Sequence, residues 1–146
     1  MAATQNVVPI LIYEDIADAQ RFLVRVFGFE AGVLERDRGG QVIHGEVAMN
    51  GTVIWLHRAT AEHGLASPTS LPAVSSGVVV IVDDVDAHHE HARRAGAVIE
   101  REPTDQPYGQ REYSAPRSRG WPLVLRHAEQ SGPDAGLTKV RAARAG

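Results

Sequence analysis

The sequence predicts an α+β fold built from two tandem βαβββ modules. Three observations predict it. An apolar strand and a capped amphipathic helix open the chain, an Asn-Gly pair joins two alternating runs, and the same order of elements then returns.

Residues 7–13, VVPILIY, are apolar and β-branched enough for a buried strand. Asp15 is placed to cap the helix that follows. In that helix Ala19, Phe22, Leu23, Val26 and Phe27 recur at helical spacing, so one stripe is apolar. Gly28 stands where a left-handed residue ends a helix. A strand follows, and then QVIHGEVAM and TVIWLHR flank Asn50-Gly51, which is a strong two-residue hairpin signal. The hairpin is expected at roughly 41–58. Residues 59–76 are small, polar and interrupted by proline, and read as a linker.

The pattern then restarts. GVVVIVDDVDAHHEHARRAGAVIE is again strand, capped helix, glycine, strand. Ile12 recurs as Ile81 and Asp15 as Asp84 at one common offset, and Gly28 recurs as Gly96 after a slip of one residue. REYSA and WPLVLRH form a second expected hairpin around PRSRG, and Pro122 marks that end as an edge. The modules span about 6–58 and 77–127 within one domain of 6–127, and 128–146 reads as a C-terminal tail.

Composition narrows the function. A net charge of −3 gives no support to nucleic-acid binding, which needs a basic surface. The absence of cysteine excludes disulfides, thiolate catalysis and Cys-type zinc sites. The longest apolar run, GVVVIV, is too short to span a bilayer. The N-terminus lacks a signal-peptide pattern, so a cytoplasmic location is expected.

The Asn-Gly hairpin also fixes which side chains share a face. Met49 should pair with Thr52, so Val47 faces Ile54 and Gly45 faces Leu56 on an apolar side that packs on the helices. On the other side Ala48 faces Val53, Glu46 faces Trp55, and His44 faces His57. A buried strand face does not normally carry two imidazoles and a carboxylate together. HHEH at 88–91 lacks the spacing of a zinc-protease helix and reads as a solvated helix face.

PILIYEDIADAQRFLVRVFGF, IHGEVAMNGTVIWL, VIVDDVDAHHEHARRAGAVI and EPTDQPYGQREYSA together resemble the vicinal oxygen chelate superfamily. The resemblance is to its glyoxalase/bleomycin-resistance branch. It implies that each module curls into a half-barrel, with helices outside and a cavity on the concave face. It also implies one divalent metal, held by a His or Gln early in the first strand of each module and a Glu in the last strand of each. Those positions fall here on Val8, Trp55, Gly77 and Val124, and none of these side chains can hold a divalent cation. The expectation is therefore no metal and no cofactor. A different site built from His44, Glu46 and His57 stays open as an alternative to simple hydrogen bonding among them.

The residues expected to line the cavity are His44, Glu46, Trp55 and His57, with Tyr108, Arg111 and Tyr113 across its second half. Trp121, which stands where relatives commonly have a His, is also expected to contact the ligand. The expected function is metal-free binding of a small aromatic molecule, in the manner of the family's drug-sequestering resistance proteins, by a homodimer. The alternative is a lyase, isomerase or dioxygenase that uses an atypical metal site, or Glu46 as a general base.

Overall fold

A computed structural model describes residues 5–115 and the backbone of 123–127. The order of elements is β1 (Ile10–Tyr13), α1 (Ile16–Phe27), β2 (Glu30–Arg36), β3 (Val42–Met49), β4 (Thr52–Arg58), β5 (Val78–Val82), α2 (Val85–Arg94), β6 (Arg101–Asp105), β7 (Arg111–Ala115) and β8 (Leu123–His127). Two four-stranded sheets result, ordered β1-β4-β3-β2 and β5-β8-β7-β6. Each is antiparallel except where its first strand lies parallel to its last. Two short 3-10 turns, Ala61–His63 and Pro68–Ser70, occupy the connection between the halves.

The repeat is visible atom for atom at the helix starts. The Asp15 carboxylate accepts from the Asp18 amide, and the Asp84 carboxylate accepts from the Ala87 amide, both at 2.9 Å. Each satisfies a backbone donor that the first turn leaves without a partner. Gly28 adopts a left-handed φ of 75° and ends α1 as expected.

One core joins the halves. Leu11, Leu23, Val26, Phe27, Val47 and Leu56 pack with Val80, Val85, Ala92 and Tyr113. The stripe of α1 faces this core, with Phe22 at its margin. Removing such side chains from water is the main favourable term in folding.

Two elements depart from expectation. The strand after α2 is Arg101–Asp105, not Ala97–Glu100. The Glu100 amide does donate to the Ser114 carbonyl, but the regular ladder begins only after it. β6 and β7 turn through Gln106–Gln110, where Gly109 has a φ of 84°, and β7 pairs antiparallel with β8 as the expected second hairpin requires. Within HHEH, His91 is exposed as expected, but His88 and His89 are turned inward and are not part of a solvated face. His88 bonds both Tyr113 and the Phe27 carbonyl, His91 bonds the Arg25 carbonyl, and His89 lies 2.7 Å from the Glu102 carboxylate. Val85 and Ala92 are the buried residues of α2, and His88 and His89 lie between them. Imidazoles thus fill the middle of a stripe that α1 builds from hydrocarbon.

Candidate functional site

The β3–β4 hairpin has the expected register throughout: Met49 with Thr52, Val47 with Ile54, Gly45 with Leu56, Glu46 with Trp55, and His44 with His57. Asn50 and Gly51 both take positive φ, 49° and 79°, the backbone twist that a two-residue hairpin loop requires. Val47, Ile54 and Leu56 are buried on the face covered by α1. Because side chains alternate along a strand, His44, Glu46, Trp55 and His57 lie together on the opposite, open face.

These four side chains touch. Trp55 stacks on His57 with ring planes 10° apart and centroids 6.1 Å apart. The His44 ring meets both edge-on, at 5.3 Å from Trp55 and 5.2 Å from His57. His44 Nε2 lies 3.3 Å from a Glu46 carboxylate oxygen. Trp55 is nevertheless 37% exposed. Burial lowers the pKa of His57 from its ordinary value, and the neighbouring His44 and His63 lower it further. All three effects favour the neutral ring near neutral pH, with one nitrogen to donate and one to accept.

The wall extends beyond the residues singled out in the sequence. Ile10 is in register with Trp55 and Ile12 with His57; Ile10 is exposed and adds apolar surface along β1, while Ile12 is buried beneath it. Glu30 pairs with Ala48 and Glu35 with His44, so two more carboxylates share the open face. The sequence hides them because β2 carries register shifts between Ala31 and Leu34 and between Glu35 and Arg36. A simple alternation count along β2 therefore fails.

The second module does not mirror this wall. Tyr113, expected across the cavity, is 1% exposed and sits in the core. Its hydroxyl bonds His88 Nδ1 at 2.8 Å, and burial pushes its pKa up. Arg111, expected to contact a ligand, is held by Asp86 and Asp105 at 2.8–3.1 Å. Both placements have one physical cause. Tyr113 and Arg111 are two apart on β7, so they share the face turned to α2. Glu112 and Ser114 take the other face. Tyr108 lies on the β6–β7 turn, 61% exposed, and donates to the Glu112 carboxylate at 2.6 Å. Trp121 lies outside the described residues.

The family's metal does not fit this donor set. Trp55 projects from the last strand of the first sheet, where the family's glutamate is expected, and an indole offers no ligand to a divalent cation. Valine or glycine stands at the other three positions. Among the described residues no group of three His, Asp or Glu side chains converges to hold a metal ion, the His44, Glu46 and His57 set included. A separate apolar cleft of about 330 Å³, lined by Pro9, Phe29, Met49, Ile54 and Val78–Ile81, lies where the first hairpin meets β5.

Two sheets of identical topology, each closed by a parallel first and last strand, with one face under a helix and the other open, define a tandem βαβββ protein. A model of the Glyoxalase/Bleomycin resistance protein/Dioxygenase superfamily matches residues 5–119, and the chain belongs to that superfamily. It is 32% identical over 108 residues to uncharacterized protein Mb0911c of Mycobacterium bovis, a match covering 70% of each chain. It is 32% identical to uncharacterized protein Rv0887c of Mycobacterium tuberculosis, covering 70% of this chain and 62% of that one. Among solved structures it resembles TioX from Micromonospora sp. ML1, with a TM-score of 0.65, 27% identity, and coverage of 85% of this chain and 98% of that one. Lactoylglutathione lyase from Agrobacterium tumefaciens shares the fold at a TM-score of 0.60 and 16% identity, covering 86% of this chain and 96% of that chain.

Proposed function

We propose that this protein binds a small, flat aromatic molecule against Trp55 without a metal, and that its role is sequestration of an antibiotic or metabolite. One observation carries the reading. The family's glutamate position is taken by an exposed indole that is stacked on His57 and bordered by His44 and Glu46. An aromatic face backed by another ring favours stacking. The imidazoles and the carboxylate then fix the ligand's orientation through hydrogen bonds.

A second copy of the chain completes the site in this reading. Ile10 on the open face of the first sheet and Val79 and Ile81 on β5 are large, apolar and exposed. Val79 and Ile81 are in register with Val124 and Arg126, which pair with Ser114 and Glu112 on the open face of the second sheet. Apolar surface on both open faces suits burial between two chains.

The test is a titration of the Trp121→Phe variant, in which Trp55 is the remaining tryptophan, with a panel of planar heteroaromatic compounds. Saturable quenching is expected, with calorimetric affinity weakened in Trp55→Ala. If no compound quenches, or if Trp55→Ala binds as tightly as wild type, stacking is refuted. Elemental analysis tests the metal-free part. Stoichiometric zinc, nickel, manganese or iron that disappears in a His44→Ala/His57→Ala variant would overturn it. Light scattering reads the oligomeric state, and a monomer would remove the second copy.

A further inference from the structure

Glu46 sits opposite a bulge. Ala31 pairs with Val47 and Leu34 with Gly45, so Gly32 and Val33 on β2 face the single residue Glu46 on β3. Such an insertion breaks the ladder locally and re-aims the side chain opposite it. The crowding is severe: a Cβ on Gly32 would lie 2.7 Å from the Glu46 Cβ and 3.1 Å from its carbonyl oxygen. Only glycine lets the two backbones approach this closely.

A buried glutamine holds the bulge from the other side of the sheet. Gln20 lies on α1, is 6% exposed, and belongs to the stripe that otherwise carries hydrocarbon. Its Nε2 donates to the Gly32 carbonyl at 3.1 Å and to the Glu46 carbonyl at 2.8 Å. One amide group therefore satisfies a carbonyl on each strand where the ladder is interrupted.

The second module repeats the arrangement with different chemistry. β6 shifts register between Arg101 and Thr104, which leaves Tyr113 opposite the shift. His89 stands as far beyond the capping Asp84 as Gln20 stands beyond Asp15. Its ring meets Tyr113 edge-on at 5.1 Å and reaches Glu102 within the shift. The parity differs, however. The flanking pairs of the first shift, Ala31 with Val47 and Leu34 with Gly45, place their side chains on the core face, which sends Glu46 to the open face. In the second module the residue opposite the shift, Tyr113, is in the core.

We propose that Gln20 is a positioning residue: with Gly32 it holds the β2 bulge, and the bulge aims the Glu46 carboxylate at His44 and the surface beside Trp55. This rests on the reading that Glu46 orients a ligand on the open face. It adds that the orientation is set from the helix side of the sheet by a residue that touches no ligand.

The test needs no ligand, so its outcome is separate from that of the binding reading. Gln20→Met keeps the bulk of the side chain and removes both hydrogen bonds. Gly32→Ala pushes on the bulge from β2. Asp15→Ala weakens α1 at its cap and leaves the bulge untouched, which makes it the control for mere destabilisation. Nuclear Overhauser contacts between the Glu46 side chain and the His44 ring are compared in the free proteins, beside melting temperatures. Loss of the Glu46–His44 contact is expected in Gln20→Met and in Gly32→Ala, with retention in Asp15→Ala. Contacts kept in both bulge variants, with melting temperature alone reduced, overturn the proposal. If Gln20→Met does not fold, Gly32→Ala alone decides the matter by the same contact.

Discussion

His88 donates from Nε2 to the Phe27 carbonyl at 2.8 Å, tying the helix of the second module to the end of the helix of the first. A carbonyl only accepts, so the proton sits on Nε2, and Nδ1 accepts from the Tyr113 hydroxyl. The ring also stacks on Phe27, with His91 nearby.

This joint makes stability depend on pH. Burial holds the His88 pKa below its ordinary value of 6.5, against a smaller opposing effect of the Phe27 carbonyl. Between the folded and unfolded values the unfolded chain binds more protons, so stability rises with pH. The contribution is complete above about 6.5 and is lost as pH falls towards the folded value. His57, also lowered, acts in the same direction. Urea unfolding between pH 7.5 and 5.5 should show wild type losing stability on acidification, and His88→Gln losing less. Equal losses in the two proteins would remove His88 as a cause.

Tyr113→Phe should cost about 1 kcal/mol by deleting the hydrogen bond to His88. Ligand affinity should stay as in wild type, because Tyr113 is in the core. Denaturant unfolding and calorimetry check the two halves of this statement. A large loss of affinity without loss of stability would return Tyr113 to the binding surface.

Trp55→Ala should show the reverse pattern. The residue is partly exposed, so the change in stability should be small. A stacked ligand should lose roughly 1 kcal/mol, a several-fold weaker Kd. Calorimetric titration beside a thermal melt reads both.

The two capping aspartates offer a test of the repeat. Asp15→Ala and Asp84→Ala should each cost about 1 kcal/mol, as each removes one acceptor from the first turn of a helix. Arg111→Ala should cost less than either cap variant in the same denaturant unfolding measurement, because its ion pairs with Asp86 and Asp105 are at the surface and screened by solvent.

The first hairpin was readable to the residue. Asn50-Gly51 fixes the loop, and strict alternation then assigns every side chain to a face, so the contacts of His44, Glu46, Trp55 and His57 follow from counting. The second hairpin carries no such mark. Between REYSA and WPLVLRH no two-residue loop pins the register, so counting cannot assign Tyr113 and Arg111 to a face of the sheet. β6, with Pro103 inside it and a register shift, has neither a strand-like pattern nor a clean count. The role of His88 is hidden in the sequence for another reason. A polar residue on an apolar stripe is indistinguishable from a surface residue until its partners, Phe27 and Tyr113, are seen. Gln20, whose partners are the Gly32 and Glu46 carbonyls, is hidden in the same way.

Each sheet closes by joining its first strand to its last: Ile10 lies beside Trp55, and Val78 beside Leu123. During synthesis the first strand of a module therefore waits without its neighbour until the whole of that module has been made. The apolar residues of β1 and β5 stay uncovered over that interval, and a break anywhere within a module costs it the closing pair. Chain ends and insertions should be tolerated best at 71–77, the exposed end of the connection, where no sheet is left open.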